Sequence, residues 1–219
     1  MHFEILTEDV SSKRSLDILI PKIIDISRNT FRVIAYRGLG LGGIPKNLKP
    51  RTDASKRILL DQLPKLIRGY GNSLKQLPGG GMLVVLCDLD QRDRHGFLHE
   101  LQNLLAQCHP QPDTRFALAI EEYEAWYLGD FTAILAAYPR AKQNVLKAYV
   151  NDSICGTWEL LAEAIHPGGS KPLIEAGYRA SGQVKSRWAE TITPHMEVER
   201  NTSPSFRHMA AMLSSATSP

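Results

Sequence analysis

The chain has 219 residues, of which 43% are hydrophobic and 22% charged, and its formal net charge is +3. This length and composition suit one large α/β domain, with or without an appendage, and argue against global disorder. No apolar run reaches the length of a membrane span, and the first residues show no signal-peptide pattern, so we expect a soluble, cytoplasmic protein without a membrane partner. The three cysteines are widely spaced and form no CxxC, which argues against a disulfide framework and a zinc site.

Strands and helices alternate along the first 138 residues. Short apolar runs predict strands at 2–6, 31–36, 82–87 and 115–120. Helical spacing of apolar residues predicts three helices between them, the first capped by Ser11 or Ser12 and ending near Ser27. We expect Pro21 to kink the first helix or to start a second one, and Pro64 to break its helix or to begin its second half. Such alternation is typical of an α/β fold with a mostly parallel, Rossmann-like sheet flanked by helices.

From about Ala141 the sequence becomes helical and rich in loops. We predict helices at 142–149, 157–165, 182–192 and 204–213, and frayed residues from Ser214 to Pro219. The predicted organisation is therefore an α/β domain at 1–140 and a helical C-terminal extension at 141–219, packed on it.

Acidic residues follow three of the predicted strands. Glu8 follows the first strand, Asp88 and Asp90 the third, and Glu122 and Glu124 the fourth. Side chains two apart on a strand point the same way, so Asp88 and Asp90 are expected to project together beyond the strand end. Parallel strands would bring all three ends to one edge, where open α/β sheets bind ligands.

Carboxylates held this close repel one another unless a cation or a proton lies between them. A hard divalent ion is the usual solution, and we expect Mg²⁺ or Mn²⁺. An ordinary structural alternative is that Asp88 caps the following helix and the other acids are solvated in loops.

Charge is unevenly distributed along the chain. Residues 45–75 carry eight Lys or Arg and two Asp, and residues 88–130 carry nine Asp or Glu and three Arg. An acidic centre beside a basic flank suits an ion site that handles an anionic polymer such as nucleic acid, although two ordinary solvated faces would look the same. The candidate phosphate-binding residues are Lys46, Lys49, Arg51, Lys56, Arg57, Arg92 and Lys171.

Several of these pieces resemble a known family. A Glu after the first strand and D-x-D after a later hydrophobic strand are similar to the Toprim domain of topoisomerases, DnaG-type primases, and OLD-family and RecR-like proteins. The finer pattern resembles the uncharacterised bacterial DUF4276 group. It comprises LTED at 6–9, DLDQRD at 88–93, EEYEAWYLGD at 121–130, SICGTWE at 153–159 and PGGSK at 167–171.

The resemblance implies a role for each matching acid. Glu8 would be the Toprim general acid/base or metal ligand, Asp88 and Asp90 the metal-binding pair, and Asp93 a third ligand or a helix N-cap. Toprim proteins usually have Gly directly after the Glu, where this chain has Asp9. Glu122 and Glu124 lie outside the Toprim pattern, so their place in the site rests on proximity alone.

The function expected from these features is Mg²⁺-dependent phosphoryl transfer on nucleic acid, in the form of a Toprim-type nuclease. The first alternative is a non-catalytic Toprim-like module that binds nucleic acid or protein and works with a separate ATPase in defence or repair, since the chain has no Walker motif. The second is a metal-dependent glycosyltransferase, because D-x-D also serves Mg²⁺–nucleotide-sugar sites. The absence of a recognisable sugar-nucleotide loop counts against it.

Overall fold

A computed structural model describes residues 1–36 and 58–217, and its centre is a four-stranded parallel sheet. The strands are β1 (His2–Thr7), β2 (Thr30–Ala35), β3 (Gly81–Asp88) and β4 (Asp113–Ala119). Their order is β2-β1-β3-β4, so β1 and β3 are central, and Leu6 is in register with Val85. The predicted α/β class and parallel sheet are confirmed.

Helices cover both faces of the sheet. One face carries α2 (Ile58–Ser73) and α3 (Arg94–Ala106). The other carries α1 (Val10–Ile23) and the helices that follow β4. These are α4 (Glu124–Leu128), α5 (Phe131–Ala137), α6 (Gln143–Lys147), α7 (Thr157–Ile165), α8 (Lys171–Ala176), α9 (Tyr178–Ile192) and α10 (Pro204–Thr217). Short 3-10 helices lie at Leu74–Gln76 and Thr193–His195.

Alternating side chains of the strands supply two separate cores. On β1, Phe3 and Ile5 join the cluster beneath α1, whereas Leu6 joins the cluster beneath α2 and α3. On β3, Leu83 and Val85 lie on the second side with Leu6. A strand with apolar residues on both faces belongs in the middle of a covered parallel sheet, which explains why the run at 82–87 shows no polar alternation.

The C-terminal helices share the first of these cores. Trp188 and Ile192 of α9 and Phe206 of α10 are buried in the same cluster as Phe3 of β1. Residues on both sides of position 140 thus bury one continuous apolar surface. No helix in the described ranges is long and apolar enough to cross a membrane.

Several predicted helix details are wrong. Asp9, rather than Ser11 or Ser12, is the N-cap of α1, because its carboxylate accepts hydrogen bonds from Ser12 N at 2.7 Å and Ser11 Oγ at 2.6 Å. The helices α1 and α2 each run through their proline as one helix, so neither proline ends a helix or starts a second one. Packing against the sheet outweighs the loss of one backbone hydrogen bond in each. At the other end of the chain, α10 extends through residues 214–217, which we expected to fray.

Candidate acidic site at the carboxyl edge of the sheet

Glu8 and Asp88 meet where the two central strands end. Glu8 directly follows β1, and Asp88 is the last residue of β3, its neighbour in the sheet. Glu8 is only 5% exposed, and its Oε1 accepts a hydrogen bond from the Asp88 backbone N at 3.3 Å. The parallel register therefore brings together two acids that are 80 residues apart in the chain.

Asp88 lies in the field of acids from the other strand ends. Burial raises the pKa of Asp88 well above its usual range, and the charges of Glu8, Asp9, Glu122 and Glu124 raise it further. These carboxylates lie at or just beyond the ends of β1, β3 and β4, so acids from three strands meet at one edge of the sheet. Like charges in a buried setting favour either a bound proton or a bound cation.

Lys185 of α9 supplies a cation to this edge. Its Nζ lies 2.8 Å from Glu122 Oε2 and 3.3 Å from Glu124 Oε2, and its side chain is 19% exposed. Burial disfavours the ammonium, but the charges of Glu124, Glu122 and Asp88 outweigh that effect and raise the pKa of Lys185. The Trp158 ring, whose centroid is 5.5 Å from Nζ, covers the ammonium from the side of α7.

Glu124 is the most deeply buried acid that contacts Lys185. Its side chain is 3% exposed. Burial, with Glu122 and Asp9, raises the pKa of Glu124 to about 7, although Lys185 acts in the opposite direction. This carboxyl can therefore hold or release a proton near neutral pH, which is a property of groups in functional sites.

Asp90 and Glu121 form a backbone contact beyond the strand ends. The strand ends at Asp88, and Asp90 has a φ of +51°, so the spacing rule that we applied to Asp88 and Asp90 does not hold there. Glu121 also has a positive φ, +60°, and its carbonyl oxygen accepts a hydrogen bond from Asp90 N at 2.8 Å. Two non-glycine residues in the left-handed region are costly, and such residues concentrate at functional sites.

Glu121 has a different task from its neighbour Glu122. Its carboxylate accepts hydrogen bonds from three backbone amides at the start of α7, those of Cys155 at 3.1 Å, Gly156 at 2.9 Å and Thr157 at 2.8 Å. These amides would otherwise lack partners inside the helix. The contact holds the N-terminus of α7, and with it Trp158, against the edge of the sheet.

Asp93 is a helix cap. Its Oδ2 accepts a hydrogen bond from Gly96 N at 2.6 Å, at the start of α3. The N-cap alternative for Asp93 is thus confirmed, and its assignment as a third metal ligand stays a prediction. Asp9 caps α1 through its hydrogen bonds, and its charge also raises the pKa of Asp88.

Two of the seven predicted phosphate-binding residues, Arg92 and Lys171, lie in the part of the chain that the structure describes. The Arg92 guanidinium lies 4.5 Å from the centroid of the Phe97 ring. Lys171 is the first residue of α8, is 84% exposed, and lies 4.0 Å from Glu175. The remaining five lie outside the described residues: Lys46, Lys49, Arg51, Lys56 and Arg57.

Lys185 is the site residue that the sequence analysis missed. It lies 61 residues beyond Glu124 in the chain and belongs to no motif that we considered. One signal was present, because Lys185 shares a helical face with Trp188 and Ile192, both of which are buried. A lysine on the apolar face of an amphipathic helix needs a buried partner.

The carboxylate oxygens at this edge are ligands of the type that Mg²⁺ prefers, but they do not form a complete coordination shell. Across residues 1–36 and 58–217, no three Asp, Glu, His or Cys side chains are placed so that they could together hold one metal ion. Mg²⁺ usually keeps several waters and binds through one or two carboxylates and substrate phosphates, so the pair Glu8 and Asp88 fits this mode.

Comparisons with known proteins identified no relative of this chain. The chain matches no protein-family model, no curated protein and no solved structure. The resemblance to Toprim proteins therefore rests on the motifs quoted above and stays a prediction.

Proposed function

We propose that this protein is a Mg²⁺-dependent phosphoryl-transfer enzyme that acts on nucleic acid, and that within this class it is a nuclease. The observation that carries the proposal is the convergence of Glu8, Asp88, Glu122 and Glu124 at the carboxyl edge of a parallel sheet. Lys185 pairs with Glu122 and Glu124, and a divalent ion at Glu8 and Asp88 would offset the remaining repulsion.

The roles of the residues follow from their positions. Glu8 and Asp88 would hold the ion, with Asp90 as a further oxygen donor at the rim, where its side chain is exposed. A bound Mg²⁺ would orient a phosphodiester and polarise its oxygens. Arg92, exposed two residues beyond Asp90, has a planar guanidinium suited to a phosphate.

The test is substitution of Asp88 by Asn, which keeps its size and removes its charge. We expect metal-dependent cleavage of single- or double-stranded substrates to fall by at least about 100-fold, in line with the loss of a carboxylate that holds a catalytic ion. Glu175→Gln changes an exposed acid on α8 and is the matched control. Undiminished cleavage by Asp88→Asn, with cleavage shown by wild type, would refute the assignment of the site.

A second candidate function is a non-catalytic nucleic-acid or protein-binding module that works with a separate ATPase. The observation that favours it is the Lys185 contact, which already offsets charge on Glu122 and Glu124 without a metal. Titration of wild type with Mn²⁺ by calorimetry separates the two candidates. Heat of binding that disappears in an Asp88→Ala, Asp90→Ala variant supports the enzyme. No metal binding in the presence of nucleic acid, together with co-purification of an ATPase, supports the module.

A further inference from the structure

The position of Lys185 distinguishes it from the other described lysines that form ion pairs. Lys13 and Lys171 pair with acids one helical turn away on exposed surfaces, and their side chains are 37% and 84% exposed. Lys185 reaches from α9 to two acids beyond β4, and its side chain is 19% exposed. Burying an ammonium this far is unfavourable unless close carboxylates compensate for the lost hydration.

The acids around Lys185 outnumber it. Glu122 and Glu124 contact it directly, and Asp88 is close enough to raise its pKa. Glu159, in the first turn of α7, also lies near Glu122 and Lys185. With Glu8 and Asp9, which act on Asp88, six carboxyl groups lie around one ammonium, and one ammonium cannot offset all of them unless a proton or a further cation is also bound.

We propose that Lys185 is the built-in cation of the acidic site, a positioning residue that balances the Glu122 and Glu124 side so that the Glu8 and Asp88 side takes a single divalent ion. The inference rests on the proposed function of the same site. It specifies a one-ion site, in which the ammonium replaces the second ion that two-metal phosphoryl-transfer sites use.

The geometry gives this role to the charge of Lys185 rather than to its bulk. The Nζ atom lies within hydrogen-bond distance of one oxygen of each glutamate, so it links two carboxylates that would repel each other. Removing the charge leaves Glu122 and Glu124 adjacent and uncompensated, with oxygen ligands of the type that a hard divalent ion prefers. A second divalent ion is therefore expected to bind where the ammonium was.

The experiment counts the Mn²⁺ ions bound per chain, by electron paramagnetic resonance of free Mn²⁺ and by calorimetry. The variants are Lys185→Met, which keeps most of the length without the charge, and Lys185→Arg, which keeps the charge. The control is Lys147→Met, at an exposed site at the end of α6. We expect Lys185→Met to bind about one further ion per chain than wild type, and the other two variants to bind the wild-type number.

A third variant tests where the further ion binds. In Lys185→Met combined with Glu122→Gln and Glu124→Gln, the additional ion should be lost. Its retention would overturn the inference, as would an unchanged ion count in the single Lys185→Met variant. If Lys185→Met does not fold in metal-free buffer, recovery of its near-ultraviolet circular dichroism on addition of Mn²⁺ supports the inference, and failure to recover overturns it.

These outcomes separate the inference from the proposed function. A wild type that binds no Mn²⁺, with one ion gained in Lys185→Met, supports the ammonium as a substitute for an ion but removes the one-ion site and, with it, the support for the enzyme. One ion in both wild type and Lys185→Met keeps the support for the enzyme and overturns the role of Lys185. A merely structural lysine would change stability in Lys185→Met without changing the number of ions bound.

Discussion

At the scale of single residues, Glu124 shows how burial and neighbouring charge act against each other. Its contact with Lys185 favours the ionised carboxylate, whereas burial, Glu122 and Asp9 favour the protonated acid. The second group of effects prevails, and the pKa of Glu124 rises from its usual 4.5 to about 7. The folded protein therefore binds more protons than the unfolded chain between these two values.

Glu124→Gln should remove part of the pH dependence of stability. A carboxyl whose pKa is raised by folding makes the free energy of unfolding fall as pH rises from about 4.5 to about 7. In the variant we expect this fall to be smaller by roughly 1–3 kcal/mol between pH 5 and pH 8. Urea denaturation in EDTA at several pH values measures it. Asp88 keeps a slope of the same sign in both proteins, so a slope identical to that of wild type would show that Glu124 is not the titrating group.

At the scale of elements, a contact between a loop and a helix determines where α7 begins. Glu121 takes the left-handed backbone conformation, and its carboxylate accepts hydrogen bonds from the backbone amides of residues 155–157. A carboxylate at a helix N-terminus is also favoured by the helix dipole. The same residue joins the Asp90 backbone, so α7 is linked to the ends of both β3 and β4.

Glu121→Gln should loosen the start of α7. The amide side chain loses the charge that strengthens its hydrogen bonds, and we expect the free energy of unfolding to fall by about 1–2 kcal/mol. Hydrogen exchange at the amides of Gly156 and Thr157 should become faster, while Glu175→Gln, on the exposed side of α8, leaves both amides unchanged. Unaltered protection of these amides in Glu121→Gln would contradict the capping role.

At the scale of the whole molecule, the helices after position 140 complete the core of the sheet. The α1 helix packs against both the sheet and α9, and its Ser15 hydroxyl is 2.8 Å from Thr193 Oγ1 in a fully buried contact. Trp126 of α4 donates a hydrogen bond to Ser205 Oγ of α10 at 3.0 Å. Both contacts join residues 1–140 to residues 141–219 through buried polar groups, which are costly to leave unpaired.

The fragment 1–140 should therefore not fold by itself. Without α9 and α10, the apolar surface of α1 and α4 that meets Trp188 and Phe206 would face water. We expect a fragment without a cooperative thermal transition in circular dichroism, and recovery of that transition when residues 141–219 are supplied as a second chain. A cooperative transition in the fragment alone would establish 1–140 as an independent domain.

The predicted elements were most accurate where local periodicity decides structure. The helix at 157–165 was predicted with the bounds that the structure has, and all four strands were predicted within two residues. The caps were less accurate, because Asp9, Ser11 and Ser12 are all good N-cap residues and only the backbone conformation selects among them. Pro21 and Pro64 misled the prediction because their cost is local, whereas the packing that offsets it comes from the whole sheet.

Local patterns along the chain are enough to predict the α/β class, the parallel sheet and the presence of acids at its strand ends, because a period of two or 3.6 residues and a buried apolar run are local properties. The folded chain adds which acids lie close to one another, that Glu121 caps α7 while Glu122 pairs with Lys185, and that α9 supplies the cation. Those outcomes depend on contacts between residues 35 to 80 positions apart, which no local pattern encodes.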